Sequence, residues 1–399
     1  MAAAEVAYGA EEYGAGEYND ALSQAIENFS VNKALTALPR PWLTGMKLHE
    51  DIEINDLVLN RIDENSVVWV CTDIEGWWVH PDPMVPDIER GYGDGSYDVR
   101  GRWLARQLTL NGSILTPDPS LAPAARNELI TSTSLVYTYG WLKVHENPIK
   151  ASKVRLSGRP SITSVSPRGR IDFSIGLRAA DPIKYSWNTA EPDGYDITTI
   201  PSANSAVSET GTRTISNDGN TRVSAVFVIE GPLTGPGTIY NTANDEFITI
   251  IQPLRAATSK SVSNSQLASN VATITTSATH GFIAGDLVTV SISNATFDGT
   301  HVIVDVPTTS TFTYDKVAAN VAYGAASGTA AIDADILEID TYDRSVVFNS
   351  QTTGTRSMLE VLTDWIRLEP GDNVITFTDD GDATGAATMD VYYRSGWIG

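Results

Sequence analysis

The segment Arg170-Ile171-Asp172-Phe173-Ser174-Ile175-Gly176-Leu177-Arg178 places an apolar side chain at every second position. That spacing suits a strand with one face on a core and the other in water, and it gives a helix no apolar stripe. The same period, or a short apolar run bounded by turn residues, recurs along the chain. It is seen in Glu53–Leu59, Ser66–Val70, Ser152–Gly158, Arg222–Ile229, Glu246–Ile251, Ile336–Asp340 and Val374–Phe377. Two further strands are expected, Gly76–Pro83 ended by its prolines and Arg100–Gly112 ended by an Asn-Gly turn, with the glycine-rich turn Gly91–Tyr97 between them. Glycine, serine, threonine and valine are plentiful and lysine is scarce, which favours strands over helices. The fold expected is mainly β.

The spacing predicts one long helix, over Pro117–Tyr137. Pro123 falls in its first turn, and Leu121, Ala125, Glu128, Leu129, Ser132, Leu135 and Val136 form a rough face. A chain of 399 residues suggests two to three domains. The texture divides it into an N-terminal arm (1–43), a first β-domain (44–190) and a β-sandwich (191–257 and 333–399). Residues 258–332, rich in Ser, Thr, Ala and Asn, read as a small β-domain inserted into a sandwich loop. Its strands are expected at Val271–Thr275, Leu287–Val290, Val302–Val304 and Thr311–Tyr314. In the arm, Asp20–Phe29 reads as a short amphipathic helix with Leu22, Ile26 and Phe29 on one face. A helix this short needs a surface to cover that face, so the arm either docks on a neighbouring subunit or is a leader without fixed structure.

The net charge of −22 argues against a nucleic-acid partner and against an anionic membrane. The charge is unevenly spread. Residues 1–90 carry 5 Lys/Arg and 17 Asp/Glu, whereas residues 91–190 carry 13 and 7. An acidic front and a basic middle suggest segments that pair within or between copies; the alternative is that both simply face solvent. The single Cys71 lies in the apolar run Val67–Cys71, which excludes an intrachain disulfide and suggests a buried thiol. The N-terminus lacks the basic-then-apolar pattern of a signal peptide, and no apolar run reaches the roughly 18 residues of a membrane span.

The C-terminal run Leu368-Glu369-Pro370-Gly371-Asp372-Asn373-Val374-Ile375-Thr376-Phe377, followed by Met389-Asp390-Val391-Tyr392-Tyr393-Arg394-Ser395-Gly396-Trp397-Ile398, resembles the ending of siphophage distal tail proteins. Those end in a Pro-Gly-x-Asn turn and a last strand of the form Tyr-Arg-x-x-Trp-Ile. Asp181-Pro182-Ile183-Lys184-Tyr185 resembles the junction between such proteins' two main domains. His280–Val288, Phe297–Thr300 and Thr309–Tyr314 resemble a module recurrent in phage tail proteins, and the aromatic-rich first domain resembles minor tail proteins of actinobacterial phages. The resemblance implies a belt domain (a β-sandwich or barrel plus one helix) that closes into a six-fold ring. It further implies a galectin-like β-sandwich carrying the inserted small β-domain. The implied role is a structural, non-enzymatic hub of the tail tip in the virion, assembled in the host cytoplasm. Its implied partners are further copies of itself, the tail tube protein, tip or baseplate hub and minor tail proteins, and the tape measure protein.

No catalytic, cofactor or metal site is expected. The five histidines form no ligand pair, and no Gly-x-Ser-x-Gly elbow or Walker loop is present. Asp379-Asp380-Gly381-Asp382 offers oxygen ligands for calcium without the rest of an EF-hand, and reads better as an acidic hairpin tip. Candidates for inter-subunit contact are Arg100, Arg102, Arg106, Arg168 and Arg170, with Trp77, Trp78 and Trp103. Leu22, Ile26 and Phe29 are candidates within the arm. The tryptophans also admit a second reading, in which the chain is a host-glycan-binding module and aromatic rings stack on sugars.

Overall fold

The computed structural model describes residues 51–55, 57–164, 169–203, 211–352, 355–380 and 387–399. The arm with Leu22, Ile26 and Phe29, Arg168, and the acidic run beyond Asp380 lie outside the described residues. The chain forms two compact units, Met1–Gly194 with Gly396–Gly399, and Tyr195–Ser395. The architecture is mainly β, as the alternation predicts.

The first unit is built on an 11-stranded sheet. Its centre is the antiparallel pair Arg106–Leu115 and Arg170–Ala179, in register from Arg106 opposite Ala179 to Leu115 opposite Arg170. Ile171, Phe173, Ile175, Leu177 and Ala179 point into the core with Leu108, Leu110 and Ile114, and the residues between them face outward. The expected turn at Asn111-Gly112 does not form, because the strand runs straight through it. Gly112 serves as a thin spot: a Cβ there would come within 2.2 Å of the Val70 carbonyl oxygen and 2.3 Å of the Phe173 ring. Sheet crowding thus explains a glycine that resembles a turn signal.

The helix is shorter than its spacing predicts. Asp118 caps a 3-10 turn at Pro119–Leu121 by accepting from the Ser120 N–H at 2.8 Å, and the α-helix spans Ala122–Thr133. Ala125 and Leu129 seat it on the core. It stops where the sequence becomes Thr131-Ser132-Thr133-Ser134, and the Thr133 hydroxyl bonds back to the Leu129 carbonyl at 2.7 Å. Leu135 remains buried and Val136 is exposed.

The second unit contains a sandwich of two main sheets. One has the strand order Asp196–Pro201, Thr388–Tyr393, Val226–Glu230, Ile336–Asp340 and Ser345–Phe348. The other runs Thr212–Asn217, Gly371–Asp379, Gly237–Asn241 and Glu246–Ile250. Residues 258–332 form a separate eight-stranded sheet with its own core, in which Ile274, Val288, Phe297, Phe312 and Tyr314 are buried. The long strand Thr258–Ala268 pairs with Gly328–Ile332 at one end and with Val271–Thr276 at the other. The strand expected at 302–304 ends at Val302, because Ile303 turns into that core and bonds its N–H to the Asp286 carbonyl at 2.8 Å.

Candidate functional site

Residues 76–105 leave the first unit's sheet and return to it. The expected strand Gly76–Pro83 is a turn at its start. Gly76 has φ +83, and a Cβ on it would sit 2.1 Å from the Gln107 carbonyl oxygen, so only glycine fits. The turn drives Trp77 inward, where it is fully buried and its Nε1 donates to Glu146 Oε1 at 2.6 Å. Two buried cations fasten this root. The Arg106 guanidinium donates to the carbonyls of Gly76 (2.9 Å), Val79 (2.7 Å) and Pro182 (3.1 Å). Lys184 donates to the Trp77 carbonyl at 3.1 Å, and burial pulls its pKa down to about 8.

Beyond the root the chain is a ribbon. Pro83 and Met84 pair with Trp103 and Arg102, and Ile88 and Glu89 pair with Tyr97 and Ser96. His80 stacks on Trp103 with ring centroids 5.6 Å apart, and Arg90 lies over the Tyr97 ring at 5.7 Å. Trp78, Val79, Met84, Val85, Ile88, Tyr92, Tyr97, Trp103 and Leu104 are all exposed. None of the ribbon's side chains beyond the root belongs to the unit's core.

The sequence-derived contact candidates divide sharply. Trp78, Arg100, Arg102 and Trp103 all fall on the ribbon and are exposed. Arg106 and Trp77 do not present themselves to a neighbour: they are 1% and 0% exposed, and their polar atoms bond within the chain. Both are corrected to internal anchors. Arg170 is exposed and paired with Asp172 at 2.9 Å. It lies at the far end of the central strand pair from Arg106, roughly 30 Å away at the usual rise per residue. The arginines therefore do not form one basic patch. The ribbon itself is mixed in charge, with five carboxylates (Asp82, Asp87, Glu89, Asp94, Asp98) and three arginines.

The C-terminal run is held by its asparagine. Buried Asn373 accepts from the Glu369 N–H (2.8 Å) and from Asn241 Nδ2 (3.1 Å), and donates to the carbonyls of Glu369 (2.8 Å) and Gly371 (3.0 Å). Gly371, at φ +92, supplies the left-handed step. The end of the run does not close the sandwich. Gly396 and Trp397 pair instead with Tyr185 and Lys184 in the first unit's sheet. The two segments that carry the resemblance, Asp181–Tyr185 and the C-terminal strand, are thus hydrogen-bonded to each other. Residues 328–397 match the family described as siphovirus-type tail component, C-terminal domain.

Over these residues the chain is similar to the C-terminal domain of siphophage tail components. The likeness to distal tail proteins read from the sequence is borne out over these residues. No curated protein sequence matches the chain. Among solved structures, the chain is similar to SPP1 Dit, described as a paradigm of the hub adsorption apparatus in phages infecting Gram-positive bacteria. That likeness has a TM-score of 0.45 and 10% identity, over 82% of this chain and 93% of the other. It is also similar to a chain of the phage P2 baseplate in its activated conformation with Ca, with a TM-score of 0.32 and 6% identity over 86% and 96%.

Elsewhere in the first unit, a cleft of about 380 Å³ is lined by Glu53, Lys143, His145, Trp187 and Glu191 among others. Glu53, Lys143 and His145 spend their charges on one another. Glu53 accepts from His145 Nε2 at 3.1 Å and from Lys143 Nζ at 3.0 Å, and Lys143 also lies 4.3 Å over the Trp187 ring. The His145 hydrogen bond, with that of Lys143, holds the Glu53 carboxyl at about 2 against the opposing effect of its burial. Among the described residues no group of three His, Cys, Asp or Glu side chains is placed to hold a metal. His280 packs against Phe282 and Phe312, and His301 stacks on Tyr314 at 4.2 Å; both serve the insert's aromatic packing. Cys71 is fully buried, and burial pushes its thiol up to about 12, which keeps it protonated and unreactive.

Proposed function

We propose that the chain is a structural hub subunit of a siphophage tail tip, and that copies close into a six-fold ring through the ribbon at 78–104. The observation that carries this reading is a ribbon of 27 residues, rich in exposed aromatic and aliphatic side chains, without a core of its own. An isolated two-stranded ribbon is marginal in water, so a second surface is needed to cover it. Its size matches the roughly 20–30 residues that one partner contributes to a standard interface. Its tryptophans, tyrosines and arginines are the residue types that interfaces favour. A ribbon that projects from one place and docks at a different place on the next copy makes a head-to-tail contact, and such contacts close into rings when the rotation permits.

In this reading the ring joins the tail tube protein on one side and the tip, baseplate hub and minor tail proteins on the other, with the tape measure protein a further neighbour. The N-terminal arm, through Leu22, Ile26 and Phe29, staples adjacent copies. Arg168 and Arg170 face acidic surfaces of neighbours. The role is structural, it is exercised in the virion after assembly in the host cytoplasm, and it needs no cofactor. Negative-stain images of the purified chain test it: closed rings of six copies are expected, and a monomer at high concentration contradicts the proposal. Micromolar binding of that monomer to cell-wall glycans, lost on replacing Trp78 and Trp103, would favour the host-glycan reading instead.

A further inference from the structure

The insert joins the sandwich through two short connections, between Ile250 and Thr258 and between Ile332 and Ile336. Two modules joined this way swing about the connections unless something opposes it. One residue stands at the crossing. Arg255 lies in the entering connection, and its guanidinium takes two carboxylates at once. It donates to both oxygens of Asp286, at 2.8 and 2.7 Å, and to both oxygens of Asp335, at 3.0 and 3.1 Å. The two connections are tied further: the Arg255 N–H donates to the Asp335 carboxylate Oδ2 at 2.8 Å, and the Asp335 N–H donates to the Arg255 carbonyl at 2.9 Å.

Each carboxylate is fixed to a different body. Asp335 is tied to the sandwich: Asn349 Nδ2 donates to it at 2.8 Å, and its carbonyl accepts from the Gly231 N–H at 3.0 Å. Asp286 is tied to the insert, where its Oδ2 accepts from the Ile283 N–H at 2.9 Å and its carbonyl from the Ile303 N–H at 2.8 Å. The two carboxylate side chains are only 8% and 4% exposed, while Arg255 is 32% exposed. Swinging the insert away would part the Asp286 carboxylate from the guanidinium and break two charge-assisted hydrogen bonds. A fork of fixed geometry that engages two planar acceptors restricts angle as well as distance, which a lysine does not do.

We infer that Arg255 is a clasp that sets the orientation of residues 258–332 on the sandwich, so that the insert is presented as a rigid extension of it. The inference concerns the second unit alone and stands whether or not the chain forms a ring. It is tested on the full chain with spin labels at Asp315→Cys in the insert and Asp343→Cys in the sandwich, both exposed positions, since buried Cys71 takes no label. The expected result is one narrow distance distribution in the parent, and a distribution at least twice as broad in Arg255→Gln and Arg255→Lys. Should Arg255→Gln fail to fold, Asp286→Asn decides, because it weakens only the insert's half of the clasp and leaves the Arg255–Asp335 pairing in place. A broad distribution in the parent, or a narrow one that survives in every folded variant, overturns the inference.

Discussion

At the scale of single residues, the polar groups that matter are those that close backbone accounts. Asn373 satisfies one N–H and two carbonyls of the turn that precedes its own strand, from a fully buried position. Replacing it with alanine leaves those groups unpaired and is expected to cost about 1–3 kcal/mol in urea unfolding. Asn373→Asp keeps the acceptor but sets a carboxylate oxygen against the two carbonyl oxygens the amide served, and is expected to cost at least as much. Glu53 gives a pH signature. Its carboxyl is held at about 2 against an ordinary 4.5, so the folded state binds its proton more weakly than the unfolded chain does. The stability it contributes is fully present above pH 4.5 and is lost as pH falls towards 2. Its size is roughly 3 kcal/mol, at about 1.4 kcal/mol per pKa unit. Glu53→Gln is therefore expected to flatten the acid limb of a stability–pH curve between 4.5 and 2, and an unchanged limb would assign that loss to other carboxylates. Lys184 has the opposite sense: its depressed pKa means that its burial is costly at neutral pH and the cost is relieved as pH rises above about 8.

At the scale of elements, the ribbon is only as well placed as its root. Arg106 holds the carbonyls of Gly76, Val79 and Pro182 from inside the sheet. Arg106→Met is expected to destabilise the first unit by about 2–4 kcal/mol, as several buried carbonyls lose their donor. It is also expected to speed amide exchange at Trp77–His80 while leaving the second unit's exchange unchanged. Uniform exchange along the chain would deny the anchor its local role. The signal for this residue was present in the sequence: Arg106 shares its parity with Leu108, Leu110 and Ile114, the buried side of the strand. The strands themselves were legible because alternation is local, as in Arg170–Ala179. The errors fell where a local signal had a distant cause. Gly112 resembles a turn, yet it is needed because Phe173 crosses above it. Gly76 sits before an apolar run that resembles a strand, yet it reverses the chain to bury Trp77. The Arg255 clasp was illegible, since its carboxylates lie 31 and 80 residues away along the chain.

At the scale of the whole molecule, the chain combines a first unit that carries an exposed ribbon with a second unit whose C-terminal part is similar to a siphovirus-type tail component's C-terminal domain. The resemblance read from the C-terminal run and from Asp181–Tyr185 gains a physical basis in the pairing of Lys184 and Tyr185 with Trp397 and Gly396. The run lies within the residues similar to that family and also returns the chain's end to the first unit's sheet. The proposed contact between copies lies elsewhere, on the ribbon, where four of the residues picked from the sequence converge. The most direct measurement compares the mass distribution of the full chain with that of a variant in which residues 82–102 are replaced by a short Gly-Ser turn. The root, the sheet and the second unit stay intact in that variant. The account predicts rings for the full chain and monomers for the variant at the same concentration. Rings of equal mass from both would show that the ribbon is not what joins the copies.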